Sequence, residues 1–397
     1  MIAEPLRRKG LGLQAVRNRI GQREVLSLLF TLAMLFIFID QSVSTFGSQR
    51  AVVNGYTVQE EVTQSSVRFV VFGLAMVFLL VSLGANLTVR TREALLVAVL
   101  LISQFACDRT QDFTLGFSWA VAILMVFTIA YRVPLNGKIF SLLGWAFVIS
   151  HFLATALKPT WAIFHYPDVE GFNYRLAAAT IDPNQLGFRA GFLALVVGLY
   201  VRTRGWQILF SLLIALLVLS VSKTSIICIV IAWIWYKRNW KIPPILAILI
   251  PIVSIGYAFL AAANDSVRQS VSLTGRANLW RVLVHGVEQS PIIGYGADGV
   301  EEVSKFGNYG FRAGNHAHDA ALQVLVQGGA VAFTLYLVLL YLVASSANRS
   351  RLGAALLIYF LIHAITETTL PWGFEYLICF SAFFTAPIES NRAGPTY

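Results

Sequence analysis

The sequence predicts an all-α polytopic membrane protein of about twelve transmembrane helices, and three observations predict it. Hydrophobic residues make up 57% of the chain and charged residues only 13%, whereas soluble domains carry about a quarter charged residues. The apolar residues gather into runs near the length of about 20 residues that a helix needs to cross a bilayer. The cations lie mostly in short stretches between those runs, so the net charge of +10 reads as membrane topology, with no nucleic-acid partner.

The runs fall near 25–45, 67–86, 93–107, 113–131, 138–157, 186–201, 206–222, 224–238, 243–262, 317–345, 353–370 and 373–389. Residues 1–24 carry Arg7, Arg8, Lys9, Arg17, Arg19 and Arg23, and no small-residue cleavage site follows the first run. That pattern reads as a retained cytoplasmic tail and not a signal peptide. With an even number of helices both termini face the cytoplasm, which puts 18 of the 30 Lys and Arg on the side with the shorter loops, as the positive-inside rule expects. Residues 1–397 read as one transmembrane domain without internal repeats. The opposite side holds segments near 46–66 and 158–185 and a large loop at 263–316, between the ninth and tenth helices. Ordered loops of such length are usually functional.

Within the large loop, Thr274 can cap a helix whose Leu279, Trp280, Val282, Leu283 and Val287 fall near one side, an amphipathic element suited to lying in the membrane interface. Gly294 and Gly296 mark a turn after Pro291, Asp319 begins the tenth helix, and Gly328-Gly329 lie inside it. Arg276 and Arg281 present planar forks that suit a diphosphate, and Lys223 joins them in Ser222-Lys223-Thr224 at the outer end of the seventh helix. Cations at a membrane edge call for an anionic partner, though a lone arginine there can equally snorkel or pair with lipid phosphate. His318 is a candidate general base or a loop histidine bonded to a carbonyl. His316 and His318 stand two apart at a helix start and share no face, and with no third ligand evident no metal is expected.

Asp182-Pro183-Asn184 and Arg189 place a carboxylate, an amide and a cation at the outer mouth of the sixth helix. They suit sugar hydroxyls or phosphate, or ordinary turn chemistry. Glu367 and Glu375 flank the last external turn at Pro371, where a carboxylate pair either serves glycoside chemistry or sits in headgroup water. Cys107, Cys228 and Cys379 show no CxxC spacing, which leaves neither a disulfide framework nor a metal site indicated.

Five motifs occur in order: Asp182-Pro-Asn-Gln-Leu-Gly187, Ser222-Lys223-Thr224, Gly275-Arg276-Ala-Asn-Leu-Trp280, Pro291-Ile-Ile-Gly-Tyr-Gly296, and His316-Ala-His318-Asp319 with Leu322-Gln323 and Gly329. Together they resemble the O-antigen ligase and polymerase superfamily of bacterial envelope glycosyltransferases, over roughly residues 180–340. The resemblance implies a multi-pass protein of the bacterial inner membrane with its active site facing the periplasm. It implies inverting, metal- and cofactor-independent transfer of a glycan from undecaprenyl diphosphate to a sugar hydroxyl of a glycan acceptor. Membrane lipid, a chain-length regulator and a flippase are the partners it suggests. Carried over, Arg276 holds the diphosphate and His318 is the base, with Lys223 where an arginine or lysine is common; Arg189, Arg281, Asp182, Asn184, His316 and Asp319 are further substrate-binding candidates by their own chemistry and position. Asp319 replaces the asparagine or serine usual after the histidine, a carboxylate set beside the proposed base. The choice of acceptor stays open between polymerising lipid-linked repeat units, which Ser222-Lys223-Thr224 favours, and ligating finished glycan onto lipid A core. A secondary transporter is the reading from a different class; such folds usually have broken, polar helices at mid-membrane.

Overall fold

The computed structural model describes residues 50–53, 56–59, 137–165, 174–178, 180, 183–264, 276–296, 299–305 and 317–367. The expected spans at 25–45, 67–86, 93–107, 113–131 and 373–389 lie outside the described residues, as do Asp182, Thr274, His316 and Glu375.

The architecture is mostly helical. It departs from the all-α expectation in two short hairpins, where β1 (Arg50–Val53) pairs antiparallel with β2 (Tyr56–Gln59) and β3 (Ile163–His165) with β4 (Tyr174–Leu176). The strands of the first hairpin are rich in Val, Thr and Tyr, the residues that suit a pleated surface. Between the hairpins lie α1 (Gly137–Leu157) and α2 (Pro159–Ala162). After them come α3 (Pro183–Tyr200), α4 (Trp206–Leu219), α5 (Lys223–Arg238) and α6 (Pro244–Ala263). The chain continues through α7 (Arg276–Gln289), α8 (Gly299–Lys305), α9 (Ala320–Ala347) and α10 (Arg351–Ala364). Among the described residues, α1, α6 and Ala320–Ser345 of α9 are long and apolar enough to cross a membrane, and α4 and α10 are shorter apolar helices.

At the centre stands α3, buried along its whole length from Leu186 to Leu199. A helix that is apolar all round must be surrounded, and α1, α4, α5 and α10 surround it. At its N-terminal end Gly187 lets the turn before α5 come close: a Cβ there would lie 2.4 Å from Ser222 Cβ. At the other end of the bundle, Asn348 ties the end of α9 to the start of α6. Its Oδ1 accepts from Ile242 N at 2.7 Å and its Nδ2 donates to Ile242 O at 2.6 Å.

Inside α9, Gly329 has φ 59° and ψ −162°, which breaks the helix. A break strands the carbonyls before it and the N–H groups after it, and the Pro291–Gly296 turn supplies partners to both. Tyr295 N and Gly296 N donate to Val326 O and Gln327 O at 3.0 and 2.7 Å, while Ala330 N and Val331 N donate to Pro291 O and Ile292 O at 2.8 and 3.2 Å. Glycine is required on each side of this contact. A Cβ on Gly294 would fall 2.5 Å from Gln327 C, and one on Gly329 would fall 2.2 Å from Ile292 C.

The apolar face of α7 corrects the interfacial expectation. Trp280, Leu283, Val284 and Val287 are buried against Ala258 and Ala261 of α6, Val300 and Val303 of α8, and Leu322 and Val326 of α9. Protein, not lipid, closes that face, because α6 continues beside α7 and α8 folds back over it.

Candidate active site

Four elements converge on the carboxylate of Glu367. The turn after α10 carries it, with Glu367 N donating to His363 O at 3.0 Å. Oε1 accepts from Arg276 Nη2 at 2.7 Å and from Asn184 Nδ2 at 2.8 Å. Oε2 meets His318 Nδ1 at 3.1 Å. Arg276, the first residue of α7, also donates from Nη1 to Thr366 O at 2.5 Å, so its fork straddles the Thr366–Glu367 corner. Those two bonds engage two of a guanidinium's five N–H groups.

The electrostatics follow from this packing. Burial alone would raise the Glu367 pKa, but the His318 hydrogen bond and the positive fields of His318, Arg276 and His363 outweigh it and hold the carboxyl down to about 2. An ionised carboxylate only accepts. In the neutral ring the His318 proton therefore sits on Nδ1, and Nε2 keeps its lone pair. The orienting bond of a general base is thus in place.

His318 reaches Glu367 from a left-handed backbone, φ 51°, a region in which histidine is several-fold enriched among non-glycine residues. The residue before it is clamped at both of its backbone polar groups. Ala317 N donates to Gln323 Oε1 at 2.7 Å, and Ala317 O accepts from Trp280 Nε1 at 2.8 Å. Trp280 lies one turn along α7 from Arg276, so a single helix positions the cation and braces the histidine loop.

Asp319 faces elsewhere. Its Oδ1 caps α9 by accepting from Leu322 N at 2.8 Å, and its Oδ2 accepts from Ser254 Oγ of α6. Burial raises its pKa to about 6, with the Ser254 and backbone hydrogen bonds opposing the rise. The carboxylate that orients the His318 ring is Glu367, not the neighbouring Asp319.

Further hydrogen bonds tie β4 and the start of α5 to this cluster. Arg175 of β4 donates from Nη2 to Asn184 Oδ1 at 2.7 Å and from Nε to Ser220 O at 3.0 Å. From α5, Thr224 accepts from Thr366 Oγ1 at 3.2 Å, and Ser225 Oγ meets His363 Nε2 at 3.1 Å. Val221, in the turn between α4 and α5, holds φ 51°, a strained conformation for a β-branched residue. With His318 it puts two such backbones at the edge of one cluster, which is where strain tends to collect in functional sites.

Of the residues expected from sequence, Arg276, His318 and Asn184 meet at Glu367. Lys223 is exposed in the first turn of α5, next to Thr224. Arg281 is exposed on α7. Arg189 is 2% exposed, inside the bundle below Asn184 on α3. Asp182 and His316 fall outside the described residues. Sequence reasoning paired Glu367 with Glu375 and passed over Arg175. Glu367 was visible as a carboxylate closing an apolar run, but nothing local joins Arg175 to partners 9 and 45 positions away. Among the described residues no group of three or more His, Cys, Asp or Glu is placed to hold a metal ion.

Fold and site together define a helical membrane protein with an arginine–glutamate–histidine cluster assembled from the ends of several helices. Residues 208–337 match the model of the family described as O-antigen ligase, and that match supports the resemblance to the O-antigen ligase and polymerase superfamily. It supports a glycosyltransferase of that type acting on lipid-linked glycan and an acceptor. The matched stretch contains Lys223, Arg276, His318 and the turn docked on Gly329, whereas Arg175, Asn184 and Glu367 lie outside it. No curated protein and no solved structure matches the chain.

Proposed function

We propose that the protein is an inverting, metal-independent glycosyltransferase that moves a glycan from undecaprenyl diphosphate to a sugar hydroxyl, polymerising lipid-linked repeat units of an exopolysaccharide or O-antigen. The observation that carries this reading is the sharing of one carboxylate, Glu367, by the guanidinium of Arg276 and the ring of His318. Such a pair supplies fixed positive charge for a leaving diphosphate and a base for an acceptor hydroxyl.

In the reaction, His318 Nε2 removes the proton from the acceptor hydroxyl as its oxygen attacks the anomeric carbon. The bond from that carbon to the diphosphate oxygen breaks, and the electron pair leaves with undecaprenyl diphosphate. One displacement from the opposite face inverts the configuration. The leaving group is a stable anion and needs no general acid, only the preorganised charge of Arg276 and Lys223. Glu367 holds the ring in the productive tautomer and stabilises the imidazolium that forms, as the carboxylate of a catalytic triad does. Asn184 acts on Glu367, while Arg189, Arg281, Asp182, His316 and Asp319 remain candidates for contacts to the glycan or to lipid phosphate.

The topology that goes with this mechanism is a single transmembrane domain, 1–397, of about twelve helices in the bacterial inner membrane. Residues 1–24 form a cytoplasmic tail, and 263–316 a large periplasmic loop between helices 9 and 10. A flippase would deliver the donor, and a chain-length regulator would act on the product. A transporter is disfavoured because the broken helix α9 spends its stranded backbone groups on the Pro291–Gly296 turn and leaves none of those four for an ion.

Ligation to lipid A core is the second reading, favoured by the description of the matched family. Purified protein in vesicles with isolated lipid-linked repeat units decides between them. A ladder of products supports a polymerase, and strict dependence on added lipid A core supports a ligase. Transfer that persists in both Arg276→Ala and His318→Ala, or that stops with a chelator and returns with one metal, overturns the mechanism.

A further inference from the structure

We propose that the Pro291–Gly296 turn is a membrane anchor, with Ile292 and Ile293 seated among the phospholipid acyl chains of the leaflet on the catalytic side. The side chains of the two isoleucines are unusually open for a tightly held turn: Ile292 is 64% and Ile293 58% exposed. That exposure does not come from a loose loop, since backbone bonds to Val326, Gln327, Ala330 and Val331 hold the turn on both sides.

Its depth can be read from α9. Asn348 locks the end of that helix to Ile242, and Lys241, Arg349 and Arg351 mark the headgroup region there. From Ala330 to Ala347 the helix rises about 27 Å at 1.5 Å per residue, close to the roughly 30 Å of a bilayer's hydrocarbon core. The joint at Gly329 therefore falls at the opposite boundary of that core. On the same ruler α6, with 20 residues, spans the core from Pro244 to Ala263.

Entry into lipid favours paired backbone groups, and this turn pairs the N–H groups of Gly294, Tyr295 and Gly296 and the carbonyls of Pro291, Ile292 and Gly294. Besides its four bonds to α9, Gly294 N donates to Ser290 O at 3.2 Å, and Gly294 O accepts from Ser290 Oγ at 2.9 Å. The polar side chains stand just before it, with His285 and Glu288 exposed on the last turns of α7. Water-facing charge gives way to lipid-facing isoleucine over a few residues, as at a membrane surface. Because α7 begins with Arg276, an anchor at its far end sets the depth of that cation relative to the bilayer. The inference rests on α9 as a span and not on the reaction, so it stands or falls apart from the proposed activity.

The unmodified chain can be tested in vesicles of phosphatidylcholine and phosphatidylglycerol doped with a phosphatidylcholine that carries a carbene precursor on its acyl chain. After illumination and peptide mapping, adducts at Ile292 and Ile293 are expected at several-fold the level at Arg281 and His285; equal labelling overturns the proposal. A second measurement places a fluorophore on Ile292→Cys or Ile293→Cys in a chain whose Cys107, Cys228 and Cys379 are serine. Quenching by acyl-chain nitroxides supports the anchor. Quenching by aqueous iodide as strong as at Arg281→Cys overturns it, and so does protection that disappears on dilution, which would mean that a second copy covers the turn.

Discussion

Glu367 is asked to do two jobs with one carboxylate: to pair with a guanidinium and to fix an imidazole. Glu367→Gln keeps the shape but loses the charge and gives the ring a mixed donor and acceptor, so turnover on lipid-linked repeat units should fall by about 10²-fold or more. His318→Ala should lose activity without losing expression, and normal turnover in that variant would remove it from the role of base. Arg276→Ala should abolish transfer, while Arg276→Lys retains part of it because charge survives without the fork. Arg175 and Asn184 act through Glu367. Arg175→Ala and Asn184→Ala should each lower kcat with KM for the donor little changed; a rise in KM alone would mean that they bind substrate directly. The depressed Glu367 pKa also has a sign. Its ion pairing contributes stability in full above the ordinary 4.5 and loses it only as pH falls through about 2. An activity inflection near neutrality therefore belongs to another group.

Among the elements, α7 and α9 set the geometry. Trp280 packs in the α6–α7–α8 cluster and its indole N–H holds Ala317. Trp280→Phe should preserve most of the fold yet weaken transfer by releasing the histidine loop, whereas Trp280→Ala should destabilise by about 3–5 kcal/mol. Gly329→Val meets the Pro291–Gly296 backbone and requires a positive φ that valine resists. It should lower the melting temperature sharply, and an unchanged melting temperature would mean that the joint is not formed. The cap of α9 has its own pH signature. Asp319 is raised from 3.8 to about 6 by burial, so its neutral form favours the fold. That contribution is complete below 3.8 and is lost as pH rises through about 6. Melting curves of Asp319→Asn in detergent should lack the fall in stability that the parent shows across this window.

At the scale of the whole molecule, the site is built where helices end on one side of the bundle, and the clamp between Ile242 and Asn348 lies on the other. Arg281→Cys and Arg349→Cys should therefore react with a membrane-impermeant maleimide from opposite sides of the bilayer. Labelling of both from one side would overturn the arrangement of spans on which the mechanism depends. Among the described residues, three helices long enough to cross, with α3 buried among its neighbours, form the frame that carries the cluster.

The sequence by itself determined the membrane class and the order and approximate limits of the described apolar helices, and it singled out Arg276 and His318 as candidates. It could do so because hydrophobic runs and the rarity of charge within them are local, additive signals. It also exposed the Pro291–Gly296 and Gly328-Gly329 glycines, though not that each exists for the other. Only the tertiary structure decided that Glu367 lies between the arginine and the histidine, that Asp319 turns away to Ser254, and that Arg175 reaches the cluster through Asn184. Those pairings join residues up to 183 positions apart, and each depends on where a helix happens to end in space. Hydropathy fixes which segments enter the bilayer, whereas hydrogen-bond geometry among their ends is a property of the packed bundle.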